Sequence, residues 1–351
     1  MSNFLRRILN RVSPKSLEAS AVSSTVLAPN ETRTSSSSIY LPGEFDAVIS
    51  CVNNDRAAEW IRLSGDPQFH LPTIRYELFN ARISGDALFS GRYFQRFHSK
   101  HPINGVASGV VKIMSEAVLS TNHLSSLEFG HWYRDSLVSE IYGVNEGHPS
   151  VALAREPWTH EPAFRNMVNL QCEHPSECKI AKLIILDDRG HTKHWNDRFL
   201  QLRERARSAA VRLDGVSAGP LVLLRRGTGA RDREPYNIDE IQMVLEGLSF
   251  QTIDPSSLSV EDIATALRDA KMVVGTEGSN LNHVHFFAPN GVLMVALQDP
   301  SRFSAWHKGF VDLYDGKFGF IVGRRQSATE IRHSINVDDL RRTIDLMRLS
   351  Q

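Results

Sequence analysis

The chain has 351 residues, room for two domains of ordinary size, and its 41% hydrophobic and 23% charged content is that of a globular protein. Lys+Arg and Asp+Glu each number 40, so the formal charge is zero, which argues against a general nucleic-acid binder. Three cysteines, Cys51, Cys172 and Cys178, argue against a disulfide framework and suit a reducing cytoplasm, and no run approaches the ~20 apolar residues of a membrane span.

The first residues, MSNFLRRILNRVSPKS, lack an apolar core and a cleavage-like site, so they do not read as a secretory signal. Phe4, Leu5, Ile8, Leu9 and Val12 fall to one side of a basic amphipathic turn, which reads either as a frayed terminus or as a peripheral contact to an anionic membrane. Residues 13–39 are rich in Ser, Thr, Ala, Pro and Asn without periodic apolar spacing and read as a disordered linker. DAVISCV (46–52) reads as a strand. GVASGVVKIMSEAVLS (105–120) is read as part strand, part helix, and GHWYRDSLVSEIYG (130–143) as a helix stopped by Gly143. CEHPSEC (172–178) invites a zinc reading but has no second ligand pair at the usual spacing, and the alternative is an ordinary loop. AKLIILDD (181–188) is a buried-type strand, and residues 197–215 form a long charged amphipathic helix.

The second half alternates strand and helix. PLVLLRR (220–226), SFQTIDP, KMVVGT (271–276) and GVLMVAL (291–297) are strands. Between them lie helices over 237–248 with an Asn237 cap, 259–270 with a Ser-x-x-Asp start, and 279–288. Such alternation implies right-handed crossovers and a parallel sheet covered on both faces. Residues 337–350 are a terminal amphipathic helix.

Ligands of open parallel sheets sit beyond the carboxyl ends of the strands. Arg225 and Arg226 end one such strand and are followed by Gly227, Gly229, Arg231 and Arg233, which reads as a phosphate site or as a solvated basic loop. Gly275, Thr276, Glu277, Gly278, Ser279 and Asn280 end another, where glycines permit close approach and a helix start favours an anion. The stretch is neither Gly-x-Gly-x-x-Gly nor a P-loop, and a tight turn with no ligand is the alternative.

This order of motifs resembles the family-61 glycosyltransferases of the capsular polysaccharide biosynthesis (DUF563-like) type. The resemblance rests on Leu-Leu-Arg-Arg, Arg233 with Asn237 four residues on, Val-Val-Gly-x-x-Gly-Ser-x-Leu, Phe-Phe-Ala-Pro, and FGHWYRDSL (129–137) upstream, and it covers roughly residues 125–300. The resemblance implies an α/β, GT-B-like fold of two Rossmann-like lobes with parallel sheets, divided as an N-terminal segment (1–39), an acceptor-side lobe (40–215), a nucleotide-sugar lobe (216–330) and a C-terminal helix (331–351). It also implies an inverting transfer from a nucleotide sugar to a glycan or lipid-linked saccharide, in the cytoplasm, with no cofactor or metal required. Where the family commonly has His-Gly-Ala-x-Leu-Thr-Asn, this chain reads Glu277-Gly278-Ser279-Asn280-Leu281-Asn282-His283.

His131 and Asp135 share a helical face and are candidates for the catalytic base and its orienting carboxylate, or for a pair that merely anchors the helix. Glu277 is the third catalytic candidate. Arg225, Arg226, Arg233, Asn237, Gly275, Gly278, Ser279 and Asn280 are the expected donor-binding set. The competing readings are a sugar-nucleotide epimerase and a non-catalytic scaffold that keeps the fold.

Overall fold

The computed structural model describes residues 15–97, 111–227, 233–325, 327 and 332–350. The amphipathic start of the chain, residues 105–110, Gly229 and Arg231 lie outside the described residues. The fold is mixed α/β and divides into two compact units. Unit 1 takes the chain up to Glu31 and Phe69–Leu202; unit 2 takes Thr32–Gln68 and everything from Arg203 on.

Unit 1 is built on an eight-stranded sheet. Its strands are β1 (Ser23–Ala28), β2 (Thr73–Ser84), β3 (Ala87–Ser90), β4 (Tyr93–Arg96), β5 (Lys112–Leu119), β6 (Ser150–Val151), β7 (Cys172–Glu173) and β8 (Glu177–Asp187). The path runs β4-β3-β2-β8-β5-β6-β7, with β1 also on β2. The strands β8, β5, β6 and β7 are parallel, but β1 to β4 and the β2–β8 pair are antiparallel, so this half departs from the expected all-parallel lobe. The cause is local: two-residue turns at Gly85 and Gly91, both with positive φ, fold β2, β3 and β4 into hairpins, and such short connections join only antiparallel strands. The linker expected over 13–39 instead contributes β1, an exposed strand of Ser and Thr that pairs through its backbone and so needs no apolar periodicity.

Unit 2 is a five-stranded, all-parallel sheet of β9 (Leu221–Leu224), β10 (Gln251–Ile253), β11 (Met272–Thr276), β12 (Leu293–Gln298) and β13 (Lys317–Val322). The order is β10-β9-β11-β12-β13, a doubly wound arrangement that reverses direction between β9 and β11. The central strands are buried along their length, as parallel strands covered on both faces must be. Helix Val337–Leu349 is part of this unit, with Leu340, Ile344 and Met347 in one cluster with strand residues Leu223, Val274 and Val295. The segment read as strand 46–52 starts instead as a 3₁₀ turn, Phe45–Ala47; its extended remainder bonds the backbone of Pro300 and Phe303 and joins no sheet. Among the described residues no helix is long and apolar enough to cross a membrane.

Candidate functional site

In unit 1 the polar residues gather beyond the carboxyl ends of the adjacent parallel strands β5 and β8. Asn122 follows β5 by three residues, and the chain then enters helix Phe129–His131, a π-helical turn over Trp132–Ser136, and helix Leu137–Glu146. Single π turns inside α-helices are frequent at functional sites, and this one lies between His131 and Leu137. His131 Nδ1 lies 2.8 Å from Asp135 Oδ2, and Asn122 Nδ2 donates to the same oxygen at 3.1 Å. The Asp135 carboxylate only accepts, so the ring carries its proton on Nδ1 and leaves the Nε2 lone pair as acceptor, while an Arg134 nitrogen lies over the ring, 2.9 Å from Nε2 and 3.4 Å from Nδ1. His191, after β8, stacks on Trp195 with ring centroids 4.2 Å apart. Burial alone would raise the Asp135 pKa, but the His131 hydrogen bond and the Arg134 guanidinium nearby hold it below the usual value. Burial pushes His191 down to about 4 against the attraction of Asp135. His191 was not singled out from sequence; it reaches this cluster only because β5 and β8 are neighbours.

In unit 2 the residues converge at the β9/β11 reversal. Arg226 donates to the Glu277 carbonyl at 2.9 Å and to Asn280 Oδ1 at 3.3 Å, while its own backbone N–H reaches Glu234 at 2.8 Å. Gly278 has φ +142°, and a Cβ there would fall 1.6 Å from an Arg226 nitrogen, so the arginine's place requires the glycine. Gly275 is less tightly confined, with Leu281 at 2.9 Å and the Leu224 carbonyl at 3.0 Å from where its Cβ would stand. Glu277 pairs with Arg302 at 3.2 Å. Burial, with Arg233 and Arg302 nearby, pulls the Arg226 pKa down to about 10 against the pull of Glu277 and Glu234.

Three donors at this edge are buried with no hydrogen-bond partner among the described residues: Arg226 Nε, Thr276 Oγ1 and Asn280 Nδ2. A buried orphan of this kind costs about 1–3 kcal/mol, and here three stand together on adjacent strand ends.

Two expected binding residues make bonds within unit 2. Arg225 donates to Glu234 at 3.2 Å, Asp239 at 3.1 Å and Gln242 at 2.7 Å. Asn237 stands at the N-cap position as expected but makes no side-chain cap bond; its amide clasps the Ile335 backbone, donating at 2.9 Å and accepting at 3.1 Å, and also reaches Glu240. Both side chains are thereby held within unit 2. Ser279 opens a 3₁₀ turn, Ser279–Leu281, ahead of a six-residue helix, Asn282–Phe287, and no side chain caps that turn. Arg233 forms no ion pair among the described residues yet lies close enough to bear on Arg226.

Residues 129–294 match the family model described as Glycosyltransferase 61. Among solved structures, the chain is similar to the iron-containing dodecameric glycosyltransferase TibC from enterotoxigenic E. coli, at 8% identity over 80% of this chain and 94% of that one, with a TM-score of 0.37. A second structure, the dodecameric iron-containing heptosyltransferase TibC in complex with ADP-D-beta-D-heptose, gives 9% identity, the same coverage and 0.36. The flavodiiron protein from Giardia intestinalis matches at 12% identity over 63% of this chain and 54% of that one, with a TM-score of 0.24. Structural likenesses this weak carry no argument about this chain. No curated protein matches it.

Proposed function

We propose that the chain is a glycosyltransferase that binds a nucleotide-sugar donor at the carboxyl edge of the unit-2 sheet and transfers the sugar, with inversion, to a glycan or lipid-linked saccharide. The observation that carries this reading is the trio of buried, unpartnered donors at the β9/β11 reversal, beside Arg233 and Arg302. Donors and cations fixed at that point suit the departing diphosphate. The match of residues 129–294 supports the same class.

In the proposed reaction the acceptor hydroxyl donates to the lone pair of His131 Nε2. The proton passes to that nitrogen, the oxygen attacks the anomeric carbon, and the carbon–oxygen bond to the diphosphate breaks, its electron pair leaving with the nucleotide. Asp135 holds the ring's tautomer and steadies the imidazolium. Arg226, Thr276, Asn280 and the backbone at Gly275, Gly278 and Ser279 receive the diphosphate, with Arg233 adding charge, so this mechanism asks for no cofactor or metal. Glu277 would repel a diphosphate if bare, but its ion pair with Arg302 offsets that charge. The scarce thiols suit a cytoplasmic site of action.

The test is calorimetry with UDP, GDP, CDP and CMP, each with and without its sugar. Saturable binding of one nucleotide, weakened at least tenfold in Arg226→Ala while the thermal midpoint holds, is the expected result. Failure of every nucleotide to bind would overturn the donor-site reading.

A further inference from the structure

Behind the phosphate loop, unit 2 contains a chain of buried polar side chains that the proposed chemistry does not use. Tyr314, His285 and His307 are 2%, 1% and 3% exposed. The Tyr314 hydroxyl lies 2.7 Å from His285 Nδ1, His285 Nε2 lies 2.8 Å from His307 Nδ1, and His307 Nε2 lies 3.0 Å from the carbonyl of Gly278. A carbonyl only accepts, so His307 Nε2 carries the proton and donates. With both rings neutral the rest has one solution: His285 Nε2–H donates to His307, and the Tyr314 hydroxyl donates to His285. The Arg203 guanidinium sits 3.7 Å over the Tyr314 ring and also donates to the carbonyls of His285 and Ala288, so the far end of the chain is anchored.

The near end acts on the loop. The peptide joining Gly278 and Ser279 is trans, so its N–H points opposite to its C=O. That carbonyl also accepts from the Leu281 N–H at 3.1 Å, so His307 and the 3₁₀ turn pin it together and aim the Ser279 N–H away from the histidine. The preceding carbonyl, that of Glu277, is held in the same manner by Arg226. Two successive carbonyls, each of which would repel an anion, are thus both occupied by protein donors.

We propose that His307, held in register by His285 and Tyr314, is a positioning residue for the diphosphate: it fixes the Gly278–Ser279 peptide so that the Ser279 N–H is presented to the anion. This rests on the donor-site reading above. It predicts that affinity for a diphosphate depends on a donor at His307 Nε2 and on little else about that side chain.

The probe is inorganic pyrophosphate, titrated calorimetrically into the full chain with Arg226→Ala as reference. His307→Phe is expected to weaken binding about tenfold or more. His307→Gln, which restores an N–H donor, should come back to within about threefold of the parent, a rescue that a merely space-filling histidine would not show. Tyr314→Phe removes one hydroxyl without changing shape; it keeps the test alive if His307→Phe does not fold, and should weaken binding about two- to fivefold. Parent-like binding in His307→Phe, or in Tyr314→Phe where that is the only foldable variant, overturns the positioning role while loss in Arg226→Ala leaves the donor site standing. Absence of pyrophosphate binding by the parent chain overturns both.

Discussion

At the carboxyl edge of the unit-1 sheet Asn122, His131 and Asp135 hydrogen-bond one another, whereas at the unit-2 edge three buried donors have no partner among the described residues. Both edges are made by loops that follow parallel strands, so topology alone does not explain the contrast. In unit 1, Asn122 and His131 close on Asp135, and the arrangement fixes one tautomer. In unit 2, packing buries Arg226 Nε, Thr276 Oγ1 and Asn280 Nδ2 without a partner among the described residues. In the proposed reaction the first edge holds a proton in a defined place and the second receives negative charge.

The largest expected effect separates these roles. His131→Ala should lower turnover by about 10²- to 10⁴-fold while leaving nucleotide affinity within about twofold, because it removes a base and no phosphate donor. Steady-state kinetics beside calorimetry reads both quantities. A variant that lost nucleotide affinity as fully as turnover would erase the division of labour.

A smaller effect sharpens the unit-1 side. His191 is held neutral, with its pKa depressed from 6.5 to about 4 chiefly by burial. A depressed histidine contributes stability that is fully present above 6.5 and is lost as the pH falls through 6.5 toward 4, since the unfolded chain then binds the proton more readily. The loss is on the order of 2 kcal/mol once discounted for the ring's partial exposure. Asp135, with its pKa lowered, acts in a different window, losing its contribution only below the ordinary carboxylate range. Urea midpoints taken from pH 7 to pH 4.5 should fall in the parent chain and flatten in His191→Asn, where asparagine tolerates the residue's φ of +50°. Parallel slopes in the two proteins would remove His191 from the acid sensitivity of unit 1.

Unit 2 was legible in sequence because each element carries its own signal. Buried parallel strands read as short apolar runs, and Ser259 caps its helix through the Asp262 N–H as the Ser-x-x-Asp spacing implies. Unit 1 was less so. Its Ser84-Gly85-Asp86 and Ser90-Gly91-Arg92 turns were visible signals that went unread, while β1 carries none because its polar residues face solvent. Within the site, sequence pointed to the strand end but did not separate Arg225 from Arg226. Successive residues of an extended segment face opposite ways, so one turns to Glu234, Asp239 and Gln242 and the other to the Glu277–Asn280 loop. Arg302 and His307 were missed because their relation to Glu277 and Gly278 is made across elements, about 25 to 29 residues apart in the chain.

Thr276 offers the subtlest way to break the comparison. Its hydroxyl is buried and unpartnered, and the residue is 2% exposed at the end of a fully buried strand. Valine has nearly the same shape and no polar atom. If the hydroxyl only filled space, Thr276→Val would remove an unsatisfied group, raise stability by about 1 kcal/mol and leave binding untouched. If it waits for an anion, the same stability gain should come with nucleotide affinity about three- to tenfold weaker. Thermal denaturation without ligand and calorimetry with it read the two effects on one protein. A gain in stability with unchanged affinity would make the orphan an accident of packing. A gain coupled to weaker binding shows that the chain gives up stability at this edge to keep a donor ready.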